Sequence, residues 1–117
     1  MTQTPAHDSI PIDVDVHEVK RLLDSKDDFL LIDCREPSEY EYCRIEGSLL
    51  VPMNETPNRM NELEPHRNSR IIVYCHIGGR SLSVVHWLRS QGFKKVQNMA
   101  GGIEAWSESI DSAVLRY

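Results

Sequence analysis

Short apolar runs alternate along this chain with longer segments whose apolar residues recur at helical spacing, and that alternation restricts the fold more than any other feature. Phe29 to Ile32, Ser48 to Val51, Ile71 to Tyr74 and Phe93 to Asn98 are too short for helices and read as strands. The first and third are apolar throughout, as strands buried on both faces are. Between them lie helical signals. Asp15 with Glu18 has the spacing of a capping box, and Val16, Val19, Leu22 and Leu23 make one apolar face of a helix ending near Ser25. Pro37 opens a short helix to Tyr42, and Thr56 and Pro57 read as cap and first residue of another helix through Leu63. Ser81 to Ser90 carries apolar residues at 82, 84, 85, 87 and 88 and stops before Gly92, as a largely buried helix with a glycine C-cap does. A last helix opens at Gly102 to Trp106. Strands separated by helices imply an α/β domain with a mostly parallel sheet. A chain of 117 residues supports one core, so residues 12–117 are expected to form a single domain preceded by a loose arm over 1–11.

Charge and cysteine usage exclude several function classes. The net charge of −5 offers no basic stripe to neutralise phosphates, so nucleic acid is not an expected partner. The opening residues MTQTPAHDSI lack a basic start followed by an apolar run, and no segment approaches a membrane span, which points to a cytoplasmic protein. Cys34, Cys43 and Cys75 are odd in number and show neither a disulfide pattern nor zinc spacing, and His7, His17, His66 and His86 show no ligand spacing. Free thiols are expected, with no metal.

The chemistry concentrates at Cys75. In parallel sheets ligands bind beyond the carboxyl ends of the strands, and Cys75 ends the clearest one. The run Cys75-His76-Ile77-Gly78-Gly79-Arg80-Ser81 passes from that strand end to a helix start, with two glycines that let backbone N–H groups turn inward. Those donors, the positive end of the helix and Arg80 all favour an anion, so the Cys75 thiol is expected to ionise readily and act as a nucleophile. A cysteine that merely packs does not account for Gly78, Gly79 and Arg80 at a helix entrance.

The run Cys75-x-x-Gly78-x-Arg80-Ser81 after an apolar strand resembles the active-site loop of the rhodanese homology domain. Further matches follow in order: Asp33-Cys34-Arg35-Glu36-Pro37 with Glu39-Tyr40, Ile45-Glu46-Gly47-Ser48, and Gly101-Gly102-Ile103 leading to Trp106. The resemblance implies a single rhodanese-like domain with a five-stranded sheet and helices on both faces. It implies a sulfurtransferase in which Cys75 takes sulfane sulfur from thiosulfate or a persulfide donor, holds it as a persulfide, and passes it to cyanide, a thiol or a sulfur-carrier protein. No cofactor is implied. Fixed N–H dipoles suit an anionic terminal sulfur. The loop from Cys75 to Arg80 has six residues, whereas phosphatases and arsenate reductases of the same superfamily use one residue more, and a smaller ring of amides suits a smaller anion. A binding module that kept the fold without catalysis is the alternative from another class. The closing stretch GGIEAWSESIDSAVLRY also resembles the end of rhodanese domains fused behind ubiquitin-like activating enzymes, which points towards a sulfur-carrier acceptor.

Other positions admit two readings. Asp33 and Arg35 either form a structural pair that orients the loop or touches substrate, or a surface salt bridge. Arg80 either faces an anionic donor or turns inward to loop carbonyls and to Glu36 or Glu39, the structural role being preferred. His76 reads as a solvent-facing specificity residue, and Cys34 as packing. The family commonly has Gly-His where this chain has Cys43-Arg44, so Cys43 is either a resolving thiol for Cys75 or a packing residue, and Arg44 widens a positive rim.

Overall fold

In the computed structural model, which describes residues 10–117, the expected alternation is realised as five strands and five helices. The strands are β1 (Asp13–Val14), β2 (Phe29–Asp33), β3 (Leu49–Leu50), β4 (Arg70–Tyr74) and β5 (Val96–Met99). The helices are α1 (Val16–Asp24), α2 (Pro37–Tyr42), α3 (Met60–Leu63), α4 (Gly79–Ser90) and α5 (Gly102–Ser109). Every strand pairing is parallel, in the order β1-β5-β4-β2-β3, so β4 occupies the centre with Cys75 at its carboxyl end. Each connection passes through helical turns, because a parallel neighbour cannot be reached by a tight hairpin.

Side-chain alternation divides the core. Ile72, Tyr74 and Leu31 join Val16, Val19 and Leu22 of α1 and Ile103 and Trp106 of α5 on one face. Ile71, Val73, Cys75, Ile32 and Cys34 join Leu63 of α3 and Val84, Val85 and Leu88 of α4 on the other. Period-two alternation through β4 therefore puts Tyr74 and Cys75 on opposite faces.

Local signals are met with some corrections. Asp15 caps α1 by accepting from Glu18 N at 2.8 Å, but the Glu18 carboxylate turns to Arg21 instead of completing the box. The complete capping box belongs to α2, between Glu36 and Glu39. Gly92, at φ +96°, follows the C-cap of α4 as expected. Thr56 and Pro57 do not begin a helix. They lie inside a 3-10 stretch over Met53–Arg59, where the Thr56 hydroxyl donates to Pro52 O, and only Met60–Leu63 is α-helical. The last strand begins at Val96, not Phe93, which is buried in the turn after α4. Ile10 and Pro11, read from sequence as arm, accept through their carbonyls from Arg89 and Gln97, and the arm's residues 1–9 lie outside the described residues. No helix among the described residues is long and apolar enough to cross a membrane.

Candidate active site

The Cys75 loop is built from β4, the entrance of α4 and the start of α5. Cys75 is 1% exposed, and its Sγ accepts from Gly78 N at 3.1 Å and from Ser81 N at 3.4 Å. Of the two loop glycines only Gly78 requires its residue type, at φ +129°, while Gly79 is already the first residue of α4. The helix thus starts two residues earlier than the sequence suggested, and its first turn points free N–H groups at the sulfur.

Ser81 is fully buried, with Oγ 3.3 Å from Cys75 Sγ and 2.5 Å from Asn98 Oδ1. Asn98 Nδ2 donates to Asp13 Oδ1, which leaves its oxygen facing Ser81, so the sulfur and the amide oxygen compete for one hydroxyl proton. Asn98 was not singled out in the sequence. It lies at the end of β5 and joins the edge strand β1 to the loop.

A second thiol at the same sheet edge corrects the reading of Cys34 as packing alone. Cys34 follows the last paired residue of β2, its N–H donates to Tyr74 O at 3.0 Å, and it shares the Cys75 face of the sheet. Its S–H faces the Cys75 sulfur as a donor that favours the thiolate. That donor, opposed by burial and assisted by the Ser81 hydroxyl and the Ser81 and Gly78 N–H groups, holds the Cys75 thiol at about 4. The neighbouring thiolate and burial push Cys34 far in the other direction, so it stays protonated. Alkylation of Cys75 by iodoacetamide is therefore expected to run at a pH-independent rate across neutrality and to fall only as pH drops towards about 4. In Cys34→Val the midpoint is expected to move upward. An unchanged midpoint removes Cys34 from this role.

Cys43 is not brought to Cys75. It lies in the cluster on the opposite face, with its Sγ 3.7 Å from Arg35 Nη1, so of its two readings the packing one fits the structure. Asp33 and Arg35 are likewise not a surface pair, since both side chains are fully buried. Arg35 Nε donates to Asp33 Oδ1 at 2.9 Å and Nη2 donates to Oδ2 at 2.6 Å. The remaining guanidinium donors reach Cys43 O at 2.6 Å and Tyr117 Oη at 2.9 Å. The pair supports the chain beneath α2, on the Tyr74 side of the sheet.

Arg80 takes the inward position. Its guanidinium grips both Glu39 oxygens, at 2.7 and 2.9 Å, and this pairing holds the Glu39 carboxyl down to about 2. Tyr117, which sequence reasoning passed over, donates to Glu39 Oε2 at 2.6 Å and stacks its ring on His76 at 4.0 Å. His76 is thus covered on one ring face while its side chain stays 24% exposed, and Nε2 lies 3.6 Å from Glu104 Oε1. Ile77 is the outermost loop residue, 67% exposed. Arg44 lies over the Tyr40 ring, 4.6 Å from its centroid.

The other motifs are braces. Tyr74 Oη accepts from Ile45 N and meets Ser48 Oγ at 3.0 Å, which ties the Ile45-Glu46-Gly47-Ser48 turn to the strand that carries Cys75. At the start of α5, Ile103 N donates to Cys75 O and Glu104 N to His76 O, so this helix holds the loop carbonyls from below. Gly102 permits that approach: a Cβ there would lie 2.6 Å from Cys75 O and 2.5 Å from the His76 carbonyl carbon, and its φ is +61°. Gly102→Ala is expected to lose about 2 kcal/mol or more of stability in denaturant unfolding, through backbone clash and left-handed strain together. A change below about 0.5 kcal/mol, the range of an ordinary surface substitution, contradicts that packing.

The rhodanese-like domain family model matches residues 15–109. A rhodanese-like/PpiC domain-containing protein 12, chloroplastic, of Arabidopsis thaliana is 39% identical over 95 residues, covering 78% of this chain and 31% of that protein. A sulfurtransferase of Allochromatium vinosum is 35% identical over 95 residues, covering 81% of this chain and 87% of that one. The human single-domain sulfurtransferase TSTD1 superposes with a TM-score of 0.76 at 26% identity, over 86% of this chain and 98% of its own. The chain spans less than a third of the plant relative and most of the other two. With its parallel five-stranded sheet, its cysteine loop at the central strand and these matches, the chain belongs to the rhodanese-like domain family.

Proposed function

We propose that this chain is a sulfurtransferase in which Cys75 accepts sulfane sulfur from thiosulfate or a persulfide donor and passes it to cyanide, a thiol or a sulfur-carrier protein. The observation that carries the reading is the Cys75 sulfur itself, buried against the N–H groups of Gly78 and Ser81, which favour its thiolate. A thiolate in that setting attacks the outer sulfur of a donor, and the bond to the departing group breaks with its electron pair. The product carries its charge one bond further out, towards the loop and the mouth of α4, where fixed dipoles stabilise it without reorganising. A second nucleophile then removes the sulfur.

Arg80 and Glu39 largely cancel each other, so the guanidinium serves to brace the loop more than to draw in a doubly charged donor. This favours a persulfide as the donor over thiosulfate. Free thiols at 34, 43 and 75 suit a reducing compartment such as the cytoplasm. Turnover from a low-molecular-weight persulfide and from thiosulfate, each to cyanide, tests the reading beside hydrolysis of an aryl phosphate. Sulfur transfer with no phosphate hydrolysis is expected. The reverse pattern makes the loop a phosphatase site, and silence in both assays makes the domain a binding module.

A further inference from the structure

Two thiols meet at the carboxyl edge of the sheet, and the transfer mechanism uses only one of them. Cα partners run Ile32 with Val73 and Asp33 with Tyr74, and Cys34 N continues the ladder to Tyr74 O, which brings Cys34 beside Cys75. Alternation gives both side chains the same face, and both residues are 1% exposed. Neighbouring strands lie about 4.8 Å apart. That separation falls within the roughly 4.4–6.8 Å over which two cysteine Cα atoms can be bridged. No other thiol shares this face: Cys43 packs on the far side of the sheet against Arg35.

We propose that Cys34 is the resolving thiol of this site, discharging the Cys75 persulfide internally to release sulfide and leave a Cys34–Cys75 disulfide. The inference rests on the sulfurtransferase reading, since it needs a persulfide on Cys75. Cys34 Sγ attacks Cys75 Sγ, and the bond from Cys75 Sγ to the outer sulfur breaks with its electron pair on that sulfur. The Cys34 proton leaves with it, giving hydrosulfide. The sulfane sulfur is reduced to sulfide and the two cysteine sulfurs are oxidised to the disulfide, so the step needs no outside reagent. A dithiol reductant then restores both thiols for the next turnover.

Proximity favours this step over attack by a dissolved thiol, because Cys34 is already held beside Cys75 by the strand register. In the resting site Cys34 is held protonated by the adjacent thiolate. Loading Cys75 moves that negative charge one bond outward, which relieves the hold on Cys34 when a second nucleophile is wanted. The substrate class follows: a persulfide or thiosulfate donor as oxidant and a dithiol as reductant, with free sulfide as product.

The test loads wild type, Cys34→Ser and Cys34→Ala with excess thiosulfate in the absence of thiols, then measures free sulfide by bimane trapping and the protein by non-reducing peptide mapping and intact mass. Wild type is expected to release about one sulfide per chain and stop, with Cys34 and Cys75 joined, and to resume after dithiothreitol. Both variants are expected to retain one added sulfur on Cys75 and to release at least about tenfold less sulfide over the same interval. Cys43→Ser is expected to behave as wild type. The proposal is overturned if wild type keeps its sulfur as long as the variants do, or if sulfide appears without the Cys34–Cys75 bridge. If neither wild type nor any variant takes up sulfur from thiosulfate or from a low-molecular-weight persulfide, the carrier reading of Cys75 falls and this inference falls with it.

Discussion

Cys75→Ser is expected to take up no sulfane sulfur from thiosulfate or a persulfide, and its transfer rate to fall by about a thousandfold or more. The loss is chemical, not structural. The cradle lowers the ionisation of a thiol to about 4, starting from a group that titrates near 9. A serine hydroxyl starts so far above neutrality that the same donors leave it un-ionised, and oxygen is a poor nucleophile towards sulfur. Serine still accepts from Gly78 N and Ser81 N, so the fold is expected to survive with a stability change on the order of 1 kcal/mol. Intact mass after thiosulfate treatment, with a thermal melt on the same sample, separates the two effects. A sulfur adduct that persists in Cys75→Ser sinks the assignment of Cys75 as carrier.

The second large effect is on folding. Asp33→Asn removes the charge that balances Arg35, leaving a guanidinium with no exposed surface and no counter-ion. Breaking one side of a buried pair costs about 3–5 kcal/mol. Total stability for a domain is about 5–15 kcal/mol, so the variant loses much of its margin. A drop in melting temperature on the order of 15 °C follows for a chain of this size. The paired replacement Asp33→Leu with Arg35→Met is expected to be milder than either single change, because it leaves no orphaned charge. By contrast the exposed Lys20–Asp24 bridge is worth at most about 0.5 kcal/mol. If Asp33→Asn is no worse than Lys20→Ala, the buried pair does not brace the fold as described.

Much of the architecture was legible because its signals are local. The Asp15 cap, Pro37 at the head of α2, Gly92 after α4 and the apolar runs of β2 and β4 each act within a few residues. The failures have equally physical causes. β1 has two residues and acquires its identity by pairing with β5, so no periodicity could announce it. Pro57 is compatible with either an α or a 3-10 turn, and the stretch over Met53–Arg59 takes the tighter one. Phe93 has strand propensity but fills the core from a turn, because burial outweighs a propensity of a few tenths of a kcal/mol.

In the site, the residues from Cys75 to Ser81 could be read as an anion cradle because they are consecutive and their backbone chemistry is short-range. Tyr117 and Asn98 were not legible. They reach the loop only through the fold, across separations of 41 residues from Tyr117 to His76 and 17 from Asn98 to Ser81.

The amino-acid sequence by itself determined the alternating elements, the parallel sheet and the cysteine loop at the end of its central strand, since hydrophobic period, caps and a glycine turn are local properties. Only the tertiary structure decided which second thiol stands beside it. Cys34 and Cys43 are alike in type and nine residues apart. Strand register turns Cys34 towards Cys75, while the turn after α2 carries Cys43 to the other face of the sheet. Parity along a strand is a one-residue matter, and the pairing that sets it is made with residues some forty positions away.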